Sequence, residues 1–158
     1  MNVLFLHGRD SKPGGTKPTE LTNDGHTVWN PALPKESFEE SVRIAQEIID
    51  TEEIDYVVGS SRGAAIAMTI GASDLPLILI APAWKAFQVE PKLPDRTIIL
   101  HSKADDIVPF KDSEELSSLT GALVLECGSG HQMNDNAAIG VLKALVRYDM
   151  TSERPIDP

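Results

Sequence analysis

The chain is punctuated by short, uninterrupted apolar runs, each closed by a residue that breaks or bends the backbone. Residues 3–6 (VLFL) stop at His7 and Gly8, residues 56–58 (YVV) at Gly59, and residues 77–80 (LILI) at Ala81 and Pro82. Residues 97–100 (TIIL) run into His101 and Ser102, while 26–29 (HTVW) and 122–126 (ALVLE) are weaker versions of the same pattern. Four to six consecutive apolar residues read as strands buried on both faces, which is the signature of a parallel sheet. Between them the spacing changes to helical. Phe38, Val42, Ala45, Ile48 and Ile49 fall on one face, with Glu39, Arg43, Glu47 and Asp50 opposite. Ser37 and Glu40 form a capping-box pattern at the start of that helix.

Four more helices are expected. Residues 18–23 follow Pro18 and precede Gly25, and an Ala-rich run extends from Gly63 to about Gly71. Residues 112–119 carry acidic groups in their first turn, and 135–146 turn Ile139, Leu142 and Val146 inward. Residues 83–96 allow a turn or two of helix. Strands alternating with helices predict a three-layer α/β/α sandwich. A single domain over residues 1–150 is expected, with a frayed tail at 151–158.

One junction carries chemistry. The apolar run 56–58 ends in Gly59, Ser61 follows, and Gly63 opens the Ala-rich helix, so G-x-S-x-G sits on a strand-to-helix turn. A side chain at either glycine would crowd the strand and helix packed around it, and the strained turn lifts the serine hydroxyl into the open. The five-residue pattern alone arises by chance in roughly one chain in twenty of this size. Its weight therefore comes from the flanking strand and helix, and from partners further along the chain.

Composition narrows the setting. A net charge of −10 over 158 residues argues against nucleic acid or an anionic membrane as partner, since both reward basic patches. The lone Cys127 permits no intramolecular disulfide and suits a reducing compartment. Residues 1–7 are apolar but lack a basic flank and a signal-peptide core, and no run of apolar residues is long enough to span a bilayer. A soluble cytoplasmic protein is expected. No metal-ligand cluster is visible, and the Gly14–Gly15 loop lacks the lysine of a P-loop, so no cofactor is expected.

A serine nucleophile needs a base and an acid, and in a parallel sheet these gather beyond the carboxyl ends of the strands. Of four histidines, His7 and His101 end strands, and His26 begins one at the wrong edge. His131 lies in a glycine-flanked loop at the carboxyl edge, after the last strand. The acid belongs between Ser61 and His131 in sequence. The loop after the fifth strand offers Asp105 and Asp106, and either serves on position alone. Asp135, closer to His131 in sequence, fits better as a helix cap.

Together, Leu6-His7-Gly8, the 59–63 elbow, the stretch 101–109 (HSKADDIVP) and Gly130-His131 resemble the α/β-hydrolase superfamily, in particular its small lidless members. The resemblance covers residue 1 to about 146. Its usual H-G-x-x-D-x-x-V-P stretch, aligned on Val108 and Pro109, places the acid at Asp105 and leaves Asp106 on a variable position. Ser102 stands where the family prefers glycine. The chain starts at what would be the family's third strand, which implies a six-stranded, all-parallel sheet.

The resemblance implies attack by Ser61 on a carbonyl carbon, with His131 moving the proton and Asp105 orienting the ring. The backbone N–H groups of Arg62 and, by resemblance, Arg9 would form the oxyanion hole. Trp84, Phe87, Phe110 and Met133 are candidate substrate-binding residues. Arg9, Lys12 and Arg62 are placed either to hold a substrate anion or simply to face solvent. The expected substrate is a small soluble carboxylic ester or thioester. The competing expectation is a binding or scaffold protein that keeps the fold without the reaction.

Overall fold

A computed structural model describes residues 1–72 and 74–148 of the chain. The expected frayed tail at 151–158 lies outside the described residues. Strands β1 (Asn2–Leu6), β2 (Thr27–Trp29), β3 (Tyr56–Ser60), β4 (Leu77–Ile80), β5 (Thr97–His101) and β6 (Leu123–Glu126) form one sheet in the order β2-β1-β3-β4-β5-β6. Every pairing is parallel. Helices α1 (Thr16–Asn23), α2 (Phe38–Thr51), α3 (Arg62–Thr69) and α4 (Phe110–Thr120) connect successive strands except β4 and β5, and α5 (Asn136–Arg147) follows β6.

The apolar strands divide their side chains between two cores. Leu4, Leu6, Val57, Leu77, Leu79 and Ile99 face one way and pack with Ala45 of α2, Ile66 of α3 and Leu116 of α4. Val3, Phe5, Tyr56, Val58, Ile78 and Ile80 face the other way, against Leu21 of α1 and Leu142 and Val146 of α5. This period-two division explains why the runs of β1, β3 and β4 contain no charged residue: both faces of the central strands are covered. The sandwich expected from the pattern is therefore the one observed.

Local differences have local causes. Ser37 caps α2, its Oγ accepting from the Glu40 N–H at 3.1 Å, but the reciprocal half of the capping box does not form. The Glu40 carboxylate instead takes two bonds from Arg43, one turn along the helix. Residues 83–96 form turns and no helix. Asp135 caps α5, accepting from the Ala138 N–H at 3.1 Å. No described helix is long and apolar enough to cross a membrane.

Candidate active site

The junction of β3 and α3 is held by backbone contact. An added Cβ at Gly59 would lie 2.4 Å from the Gly63 carbonyl oxygen, and one at Gly63 would lie 2.0 Å from that of Leu6. No side chain of any size fits at either position. Between them Ser61 adopts φ 55°, ψ −112°, a region costly for a residue with a Cβ, of the order of 1–3 kcal/mol. The surroundings fix it there. The Ser61 N–H donates to Ile80 at 2.8 Å, and its carbonyl accepts from Ala64, Ala65 and Ala83.

Beyond β5 the chain turns through Asp105, whose carboxylate is fully buried and has four hydrogen-bond partners. Oδ1 accepts from the backbone N–H groups of Ile107 (2.8 Å) and Val108 (2.9 Å). Oδ2 accepts from His131 Nδ1 at 2.8 Å and from His101 Nε2 at 2.9 Å. Burial pushes the Asp105 carboxyl pKa up, but the bonds from His131, Val108, Ile107 and His101 outweigh it and hold the pKa below the ordinary carboxylate value. Asp106 is exposed. Position alone left the two aspartates equivalent; the hydrogen bonds separate them.

With Nδ1 bonded to Asp105, the His131 ring lines the cavity that Ser61 also lines. No hydrogen bond joins Ser61 Oγ to His131 among the described residues. The ring's loop is anchored from three sides. Met133, at φ 52°, is buried in the second core, and Asp135 Oδ2 accepts from Ser129. Ser102 Oγ donates to Gly128 at 3.0 Å and accepts from the Ala104 N–H, stitching the acid loop to the histidine loop. The serine that replaces the expected glycine thus has a structural role here.

The remaining candidates are distributed as follows. Arg9 and Arg62 line the cavity, and neither backbone N–H has a backbone partner among the described residues. The Arg62 guanidinium is buried away from the mouth, donating to Pro34 O, Ser37 O and Ser41 Oγ and lying over the Phe38 and Phe87 rings. Burial, then the positive charge of Arg9, lowers its pKa. Of the aromatic candidates only Phe87 lines the cavity. Trp84 is buried in the first core and donates its Nε1–H to Asp112 O at 3.0 Å. Phe110 packs on the His101 ring, and Met133 is 2% exposed. These three residues build the walls behind the site and do not form its surface.

Two further residues have partners that the sequence did not name. His101 is fully buried, accepts from Ser113 Oγ at Nδ1, and shares its Nε2–H between Asp105 and the Val108 carbonyl. Its position at the end of a strand was visible in sequence, but its contact with the acid depends on the loop folding back. Lys17, 8% exposed, lines the cavity and donates to Gln132 O (2.6 Å) and Asn134 Oδ1 (2.9 Å). His7, the other histidine lining the cavity, is a loop clamp: Nδ1–H donates to Gly8 O and Nε2 accepts from the Leu33 N–H.

A strained serine between two space-limited glycines, at the carboxyl edge of a parallel sheet, faces the same cavity as a carboxylate-bound histidine. Solved structures with the same arrangement of elements include alpha/beta hydrolase domain-containing protein 10 from mouse (TM-score 0.73, 16% identity, covering 92% of this chain and 87% of that one). The chain has the α/β-hydrolase fold. Est1E from Butyrivibrio proteoclasticus, solved with ferulic acid bound, superposes with a TM-score of 0.76 at 13% identity, covering 96% of this chain and 90% of that one. An esterase domain from a Rhodothermus marinus protein gives 0.67 at 16% identity, over 91% and 83%. No family model matches the sequence, and no curated protein matches it. The likeness is one of fold.

Proposed function

We propose that the protein is a serine hydrolase that cleaves a small, soluble carboxylic ester or thioester through an acyl-enzyme on Ser61. The observation that carries this reading is the 2.8 Å hydrogen bond from His131 to the buried, saturated Asp105, beside a cavity shared with Ser61. Asp105 fixes the proton on Nδ1 and leaves the Nε2 lone pair to act as base. As the Ser61 oxygen attacks the carbonyl carbon, its proton passes to Nε2, and the tetrahedral oxyanion is met by the N–H groups of Arg62 and Arg9. Nε2 returns the proton to the departing alcohol or thiol. Water, activated by the same nitrogen, then releases the acid and restores the serine.

The missing Ser61–His131 hydrogen bond is compatible with this chemistry, because such bonds are often long in unliganded sites and tighten on substrate binding. It is also the feature that a retired, binding-only site would show. Hydrolysis of short p-nitrophenyl esters separates the two readings. The enzyme reading predicts turnover lost on Ser61→Ala and on His131→Ala. Hydrolysis that survives Ser61→Ala unchanged overturns it.

A further inference from the structure

The cavity beside Ser61 has a volume of about 590 Å³, within the range of small-molecule sites. Its charge is opposite to that of the protein. The chain carries −10, yet the charged side chains lining the cavity are Arg9, Lys12, Lys17 and Arg62 against Asp10 alone. Asp10 is exposed, paired with Lys35 at 2.5 Å and within electrostatic reach of Arg9, and it makes no contact with Lys17 among the described residues. Lys17 is the decisive member. Both of its partners are neutral oxygens, no carboxylate contacts it among the described residues, and an ammonium has three N–H donors of which only two are engaged. Burial lowers its pKa to about 8, the mark of a cation held in a dry place without an opposing charge. Arg9 adds like-charge repulsion, felt by Arg62.

A buried, uncompensated cation in a reaction cavity is costly unless something negative completes it. We infer that the substrate carries a carboxylate, bound by the third N–H of Lys17 with Arg9 and Lys12 at the mouth, while its ester carbonyl sits over Ser61. Arg62 contributes charge to this site; its Nη2 is spent on the segment around the start of α2, while its buried Nη1 has no hydrogen-bond partner among the described residues. The apolar stretch of wall, Phe5, Ala83, Ala86, Phe87 and Val108, accommodates the short chain between carboxylate and ester.

This inference rests on the esterase reading for its kinetic assay, so a binding assay accompanies it. Two substrate pairs each compare a free carboxylate with its methyl ester. Mono-p-nitrophenyl glutarate against its methyl ester places the carboxylate on the acyl half; 4-carboxyphenyl acetate against its methyl ester places it on the alcohol half. In one pair the acid is preferred in kcat/KM by about 10- to 100-fold, the usual weight of a hydrogen bond to a charged group. Lys17→Met shrinks that preference at least several-fold through KM. Arg9→Gln and Lys12→Gln, on exposed side chains that leave the fold alone, reduce it further and weaken its dependence on salt. Separately, glutarate binds Ser61→Ala protein in calorimetry and binds more weakly when Lys17→Met is added. Preferences within twofold in both pairs, or a preference unmoved by all three substitutions, overturn the inference and leave the esterase intact. Saturable glutarate binding without turnover of any ester upholds the anion site and sinks the esterase.

Discussion

Replacing Gly63 with alanine tests whether the tight approach of α3 to β1 is what builds the site. The new Cβ would stand 2.0 Å from the Leu6 carbonyl oxygen, 2.5 Å from its carbon and 2.8 Å from the His7 carbonyl oxygen. Ordinary contact begins near 3.4 Å, so α3 must back away by more than an ångström. The obstacles are backbone atoms of a central strand and cannot rotate aside. Behind Gly63, Ala64, Ala65, Ile66 and Ala67 are all 0–1% exposed, and a gap of more than an ångström forfeits about half or more of the dispersion energy of each contact it opens. Overpacking usually costs about 1–3 kcal/mol. With no side chain able to yield, Gly63→Ala belongs at the upper end or beyond, against a total stability of roughly 5–15 kcal/mol. Gly140 is the control, because it lies on the exposed side of α5 with nothing within 4 Å of an added Cβ. Gly140→Ala should stabilise by about 0.5–1 kcal/mol through helix propensity. Urea unfolding followed by circular dichroism reads both, a loss of ~3 kcal/mol moving the midpoint down by roughly 1–3 M. A Gly63→Ala protein within 0.5 kcal/mol of the parent, roughly the scatter of neutral substitutions, would refute the packing argument.

Two further predictions concern Asp105. Since the folded pKa of Asp105 lies below its ordinary value of 3.8, the unfolded chain takes up this proton first as the pH falls. The stability it contributes is therefore complete above that ordinary value and is lost as the pH drops through the depressed one. Asp105→Asn should give a shallower fall of stability below about pH 4, and equal slopes in acid urea titrations would contradict this. His101→Phe keeps a ring in the same space but withdraws one donor from Asp105. We expect a loss of about 1.5–3 kcal/mol of stability, and an acid limb of kcat/KM for p-nitrophenyl acetate displaced to higher pH. A variant with lower stability but an unmoved pH profile would make His101 a packing residue only.

The parts of this protein that were legible in sequence are those set by local rules. The parallel sheet followed from apolar runs with no polar break, and the elbow from two glycines around Ser61. The pairing of His131 with Asp105 followed from loops at the carboxyl edge, with the resemblance needed to choose Asp105 over Asp106. What escaped depended on contacts between distant segments. Lys17 looks like a solvated residue at a helix start, and its burial comes from a loop 115 residues further along. Trp84, Phe110 and Met133 have the right chemistry for a pocket, but the direction a large side chain takes from a turn is decided by which core has room for it. The missing half of the Ser37–Glu40 capping box is a competition, won by the Arg43 guanidinium that lies one turn away.

The central claim is that Ser61 is a nucleophile activated by His131 and Asp105. Intact-protein and peptide mass spectrometry after exposure to a fluorophosphonate probe tests it most directly. The account predicts a single covalent adduct on the peptide containing Ser61, absent in Ser61→Ala and formed far more slowly in His131→Ala and Asp105→Asn. Folded protein that remains unlabelled at Ser61, or labels equally fast without His131, would contradict it.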